Sequence, residues 1–340
     1  MDGLTAEQRE LDGMAAKLLA DAEAKNPLPP AWEALPLRLD RALWASFADV
    51  GLLGLTAPDS GAGLLELLLV AERMGASVPP VPFVGASAVA VVLARAEHAA
   101  LDPMVSGEQV IVPAWETWPV SVVPGRRADA LVSSGPSQVT GVLRAVPFGL
   151  DADQVLVFLQ DGSAALVPLA GAERTSVDSL DVMEPLAEVS LRDAPSVPVS
   201  LPVFPLAEVL LLVAAELVGV GRRALDGAVE YAGQRRQFGR PIGSFQSIKH
   251  MLADRFVQLD AARMLVRAAD ASEIAARTAL VAASDAADAA TADALQVHGG
   301  IGFTWEHVSH VLLKRSRARR VLLGSQARQL DALADHLLTP

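Results

Sequence analysis

The chain has 340 residues, 51% of them apolar but only 4% aromatic, and a formal net charge of −12. This length suits two or three domains with a large core, and an aliphatic, alanine-rich composition favours helix bundles. The acidity argues against nucleic acid as a main partner, and the absence of cysteine excludes disulfides, thiolate metal sites and cysteine nucleophiles.

The opening stretch, "MDGLTAEQRELDGMAAKLLADAEAK", is charged throughout and lacks an apolar h-region, so no signal peptide is expected and the cytoplasm is the expected compartment. It reads as a helix entered through a Thr-x-x-Gln capping box. "DRALWASFADVGLLGL" has helical apolar spacing and stops near Gly51 and Gly54. "LLELLLVAERMGAS" and "GASAVAVVLARAEHAA" follow as helices, separated by "VPPVPFV". From about 107 to 203 the texture changes to short β-rich runs: "EQVIVPAW", "ADALVSSG", "SQVTGVLRAV", "QVLVFLQDG", "SAALVPLAG", "LAEVSLRD" and "VPVSLPVF". Gly135-Pro136 and Asp161-Gly162 punctuate them, and the spacing suggests a small β-barrel or sandwich. Four long helical segments follow, over 206–237, 244–271, 273–298 and 304–336, with short loops that suggest antiparallel neighbours. The strongest apolar run, "PLAEVLLLVAAELVGVG", carries Glu208 and Glu216, so it reads as a buried bundle helix rather than a membrane span. The expected architecture is α+β and multidomain: a helical domain over 1–104, a β-barrel or sandwich domain over 105–204, and an antiparallel four-helix bundle over 205–340.

The stretch "YAGQRRQFGRPIGSFQSIKHMLADR", 231–255, ends one bundle helix and opens the next. Gly239 suits a C-cap, Pro241 cannot continue a helix, and cations in a last turn suit the helix dipole. Arg235 reads either as a dipole-capping surface arginine or as part of an anion-binding corner for phosphate.

This stretch and "LQVHGGIGFTWEHVSHVLLKRSRARRVLLGS" resemble, in order and separation, the two C-terminal signatures of the acyl-CoA dehydrogenase family. The resemblance is strong over about 204–326, moderate over the N-terminal helices and thin in the β zone. It implies a bound FAD, a dimer or tetramer, and oxidation of an acyl-CoA to the 2,3-enoyl-CoA, with an electron-accepting flavoprotein downstream. In that chemistry a carboxylate removes the α proton, the β hydrogen leaves as hydride to the flavin, and hydrogen bonds to the thioester carbonyl stabilise the enolate. By position, Arg235 is similar to the arginine that reaches the FAD pyrophosphate of a neighbouring subunit. Gln237, Phe238 and Gln246 match positions near the same cofactor, and Gln296, Gly299 and Gly300 match the loop at its adenosine end. Arg236 and Arg240 read as solvated.

The chain also departs from the family. Leu323, in "LLGS", stands where the catalytic glutamate usually does, and counting back from Tyr231 to the family's second base location gives Val209. Glu208 is adjacent but points about 100° away on a helix. Glu216 reads as a rescue base or as the buried partner of an arginine, so the catalytic base is unknown. "PAWETWP", with Trp115, Glu116 and Thr117, is the nearest match to a flavin-binding segment, and the glycine loop before 64–75 is shortened to "DSGAG". These losses make the chain most similar to the base-less subunit of actinobacterial heterotetrameric acyl-CoA dehydrogenases, many of which act on steroid side chains. The implied partner is a homologous subunit with the glutamate, or a second copy of this chain. A scaffold subunit without flavin and a homo-oligomeric flavoenzyme with altered chemistry are the alternatives.

Two further features stand out. "KRSRARR", 314–320, reads as a solvated helix face or a salt-bridge strip rather than a nucleic-acid or CoA-phosphate patch. His298, His307 and His310 are spaced suggestively, but no carboxylate cluster accompanies them and no metal is expected.

Overall fold

A computed structural model describes residues 3–25, 35–119, 132–135 and 137–338. The first helix, α1 (Ala6–Lys25), starts from a working capping box: Gln8 N donates to Thr5 Oγ1 and Thr5 N to Gln8 Oε1. Asp40 caps α2 (Arg41–Asp49) by accepting from Leu43 N, and Gly51, at φ 78°, turns the chain after it. Next come α3 (Leu64–Ser77), α4 (Phe83–Arg95) and the short α5 (Leu101–Val105). Ten of the thirteen α4 residues are buried, as expected of a helix that is apolar all round.

The middle of the chain forms two open four-stranded sheets. One has the order β1 (Ile111–Pro113), β4 (Gln154–Phe158), β5 (Ala164–Pro168), β8 (Val197–Val199). The other has the order β2 (Val132–Gly135), β3 (Gln138–Pro147), β7 (Leu186–Pro195), β6 (Glu173–Val177). Among the described strands, only β1 and β4 pair in parallel. That pairing needs a crossover, and β2 and β3 of the other sheet lie within it. Among the described residues neither sheet closes on itself, which corrects the barrel reading; the sheets touch through β1 with β3 and β5 with β7. Residues 128–131 and Pro136, parts of a strand run and a turn signal, lie outside the described residues.

The C-terminal half is built on α6 (Leu206–Gln234), which buries eighteen of its twenty-nine residues. A small hairpin, β9 (Arg236–Gln237) and β10 (Arg240–Pro241), leads to α7 (Gln246–Ala268) and then α8 (Glu273–His298). The segment expected as one helix over 304–336 is two, α9 (Ser309–Leu322) and α10 (Gln326–Leu338), broken at Gly324 with φ 96°. Helix α3 lies backbone to backbone on α6. A Cβ at Gly75 would sit 1.9 Å from Glu216 O, and one at Gly219 would sit 1.8 Å from Glu72 O. Glycine therefore fixes the approach of these helices, and the Gly219-Val-Gly221 pair is a packing device. Among the described residues, no helix is long and apolar enough to cross a membrane.

Candidate functional site

The two signature stretches meet at one end of the bundle. Helices α6 and α8 run parallel: Gly221 of α6 packs on Ala287 of α8, and further along Tyr231 stacks on His298 with ring centroids 4.7 Å apart. Arg235 lies one turn beyond Tyr231, and Gly299 directly follows His298. Helix α6 stops at Gln234, earlier than the sequence reading, because Arg235 turns extended while its N–H donates to Tyr231 O. Gly239, expected as a C-cap, instead shares the hairpin tip with Phe238, at φ 76° and 50°. Arg236 donates to Gly239 O across the hairpin and Arg240 lies 4.1 Å over the Phe245 ring, while both remain exposed to solvent.

The candidate cofactor residues Arg235, Gln237, Phe238, Gln246 and Gln296 are all exposed, Phe238 at 92%. Among the described residues the Arg235 guanidinium makes no hydrogen bond or ion pair. Gly299, with φ 61°, and Gly300 have nothing within 4 Å of where a Cβ would stand. The corner thus offers an unpaired cation and open backbone beside two glycines. This donor set fits a diphosphate approached from outside the chain.

The other half of the expected site is closed. Leu323 is 1% exposed, and its carbonyl accepts from Gln329, which is itself held by the buried Arg277. Val209 is fully buried, and Glu208 pairs with Arg95 on the surface. Glu216 is buried between two arginines of α9, accepting from Arg315 Nη1 at 2.6 Å and from Arg319 Nε at 2.5 Å. Arg315 also bonds Asp181, and Arg319 grips Glu184 with two bonds of 2.6 and 2.7 Å. Three carboxylates and two guanidiniums therefore fill the seam between the β6–β7 connection and the bundle. Burial pushes the Asp181 carboxyl above its usual value, and the two arginines counter this only in part. Burial opposes ionisation of Glu184 too, but the bidentate Arg319 outweighs it and holds that carboxyl below its usual range.

This cluster walls a crevice of about 480 Å³ lined also by Trp115, Arg144, Ala145 and Leu322. The "PAWETWP" segment lies there with its polar groups engaged. Glu116 accepts from the backbone N–H of Arg144 and Ala145, while Thr117 Oγ1 accepts from Phe158 N at 3.0 Å and donates to Ala114 O at 2.8 Å. Trp115 and Trp118 stack 4.6 Å apart in an aromatic cluster with Phe158 and Phe204.

Of the two readings of "KRSRARR", the salt-bridge strip fits and the solvated face does not: Arg315 and Arg319 are buried in ion pairs, and Arg317 and Arg320 pair with Asp288. A signal for this was present, because Val311, Arg315, Arg319 and Leu323 recur every four residues on one apolar stripe. Asp181 and Glu184 carried no such local signal. Of the three histidines, His298 and His307 stack 4.2 Å apart around Ser309, and His310 packs edge-on to Trp305.

The sequence profile described as acyl-CoA dehydrogenase, C-terminal domain, matches residues 207–338. Acyl-CoA dehydrogenase IpdE2 of Mycobacterium tuberculosis is 32% identical over 306 residues, which cover 86% of this chain and 86% of that protein. A chain of the ChsE4-ChsE5 complex from Mycobacterium tuberculosis has the same fold with a TM-score of 0.85 at 26% identity, covering 100% of this chain and 99% of that one. The Tcur3481-Tcur3483 steroid ACAD G363A variant matches with a TM-score of 0.83 at 26% identity over 98% of each chain. Two signature ends joined at one pole of the bundle, the shared fold and the full-length likeness together make this chain a member of the acyl-CoA dehydrogenase family of oxidoreductases.

Proposed function

We propose that the chain is the base-less subunit of a heteromeric acyl-CoA dehydrogenase, holding the diphosphate end of FAD for a homologous subunit that carries the catalytic glutamate. The observation that carries this reading is the exposed Arg235, without a partner among the described residues, beside Gly299 and Gly300 at the pole where both signature motifs end. Arg235 would bind the pyrophosphate, while Gln237, Phe238, Gln246 and Gln296 would line the approach. The glycines would let the cofactor pass against bare backbone. When bound, FAD supplies the acceptor for the hydride that leaves the acyl β carbon. The proton step falls to the partner: Leu323 cannot take a proton, and Glu216 is committed to two arginines. An acyl-CoA with a bulky, steroid-derived chain is the proposed substrate, supported by the steroid ACAD among the structural relatives. The two-chain complex among them supports an unlike partner.

The test is the flavin-to-chain ratio, read from the visible absorption spectrum. The chain purified alone is expected to carry little flavin. Co-purified with a glutamate-bearing homologue it gains flavin, and Arg235→Ala lowers that content. One flavin per chain in the protein alone would overturn the reading in favour of a self-sufficient homo-oligomer. Flavin content unmoved by Arg235→Ala would favour a scaffold subunit.

A further inference from the structure

At the pole of the bundle His298 lies between two rings: Tyr231 of α6 at 4.7 Å and His307, just before α9, at 4.2 Å. The hydrogen bonds around this stack have a fixed direction. His298 Nδ1 is 2.7 Å from Ala294 O, and a carbonyl only accepts, so this nitrogen carries the proton. The same N–H faces Ser309 Oγ at 3.3 Å. His307 Nδ1 lies 3.2 Å from Ser309 N and 2.8 Å from Ser309 Oγ, so it accepts from the backbone N–H and from the hydroxyl. Every bond is made with His307 neutral and a proton on His298 Nδ1. A proton on His307 Nδ1 would face two donors at once and would put a charge 4.2 Å from a second imidazole.

The stack ties together the two elements that end at the candidate corner. Tyr231 O accepts from Arg235 N, and His298 directly precedes Gly299. We propose that His298 and His307 are positioning residues for the dinucleotide corner, holding the Arg235 end of α6 against the Gly299–Gly300 end of α8 while His307 is neutral and releasing it when His307 takes a proton. The inference rests on the reading of that corner as an FAD site.

The charged neighbours of the stack are otherwise engaged. On α6, Arg223 pairs with Glu23 of α1, Asp226 pairs with Arg222, and Glu230 accepts from Gln234. Arg223, Asp226, Glu230 and Gln234 line a polar cavity of about 420 Å³ together with the two histidines and Ser309. Glu306, next to His307, is exposed, and His310, which feels the His307 charge, is lowered to about 4 by burial, Lys314 and His307, below the mild-acid range. Burial, then His298 and then Arg223, holds the His307 ring below its ordinary value of 6.5, so the neutral state extends into mild acid.

The test is FAD binding by flavin-fluorescence quenching in the complex with the partner subunit, from pH 8 to pH 5, with melting temperature measured in parallel. Wild-type affinity is expected to fall as pH drops below 6.5. His307→Phe keeps the stack but cannot take a proton, so it should bind FAD at pH 7.5 within a few-fold of wild type and lose the acid dependence. His298→Ala should weaken binding at pH 7.5 by about tenfold, the equivalent of one lost charge-neutral hydrogen bond. Glu230→Gln, as a control, should keep the wild-type profile. If His307→Phe retains the acid dependence, or Glu230→Gln abolishes it, the stack is not the sensor. If Arg235→Ala weakens binding while His298→Ala does not, the positioning role is wrong and the FAD corner stands. If Arg235→Ala changes nothing, the corner reading itself has failed.

Discussion

Glu216 sits at 1% exposure with both oxygens taken by Arg315 and Arg319. Removing one partner of a buried ion pair leaves the others uncompensated, which costs about 3–5 kcal/mol. Glu216→Ala should lower the free energy of unfolding, read by chemical denaturation, by that amount. A variant that unfolds like the parent but loses turnover would instead make Glu216 a catalytic base. His310 supplies a pH test. Its ring is 8% exposed, its Nε2 has no partner among the described residues, and burial followed by Lys314 and His307 lowers it from 6.5 to about 4. The unfolded ring binds its proton more readily, so the neutral folded form is favoured at full strength only above pH 6.5. Stability should fall as pH drops from 6.5 towards about 4 and level off below. His310→Phe should flatten that limb of a thermal-melt profile. Of the candidate site residues, the helix-end placement of those named by the two motifs was legible because glycine, arginine and glutamine stood at fixed places beside helix ends. The seam was legible only in part: Glu216 read as the buried partner of an arginine, but Asp181 and Glu184 meet α9 across more than a hundred and thirty residues of chain.

Local chemistry decided most elements, and where tertiary context decided, the sequence reading drifted. The capping box at Thr5, the Gly51 turn and the apolar period of α6 are all short-range signals, and each is present in the structure. Strand β6, "ERTSV", was missed because a polar edge strand with exposed side chains has neither an apolar run nor alternation to read. The break at Gly324 was missed because the helical pattern resumes in phase after it. The α3–α6 contact yields a prediction specific to that helix pair. Gly219→Ala drives a methyl group into the backbone of α3, 1.8 Å from Glu72 O, and overpacking of this kind costs about 1–3 kcal/mol or more. Gly227→Ala, on the same helix with nothing within 4 Å, should gain about 0.5–1 kcal/mol from helix propensity. Chemical denaturation of the pair compares them directly, and a destabilised Gly227→Ala would refute the open-space argument.

At the scale of the whole molecule, the site residues divide between an exposed pole and a closed seam. This division predicts that restoring the family's carboxylate will not restore the chemistry. Leu323→Glu places a carboxyl at a position 1% exposed, beside a carbonyl already held by Gln329. The variant should melt lower than the parent and, with FAD bound, should show no bleaching with an acyl-CoA. Bleaching would mean that the seam opens into a competent acyl pocket. The open sheets, the glycine-tight helix pair and the bundle share one continuous core, so the chain has little freedom to form that pocket by local rearrangement.

The five charged groups in the seam also set how the molecule responds to heat. Water solvates charged groups less favourably as temperature rises, so the penalty for burying them shrinks while their mutual attraction persists. The tie from Asp181 and Glu184 through Arg315 and Arg319 to Glu216 therefore grows relatively stronger on warming. The sheets and the bundle are riveted at the temperature where they would otherwise part. Calorimetry should record their loss as one endotherm in the parent and as two in Glu216→Ala.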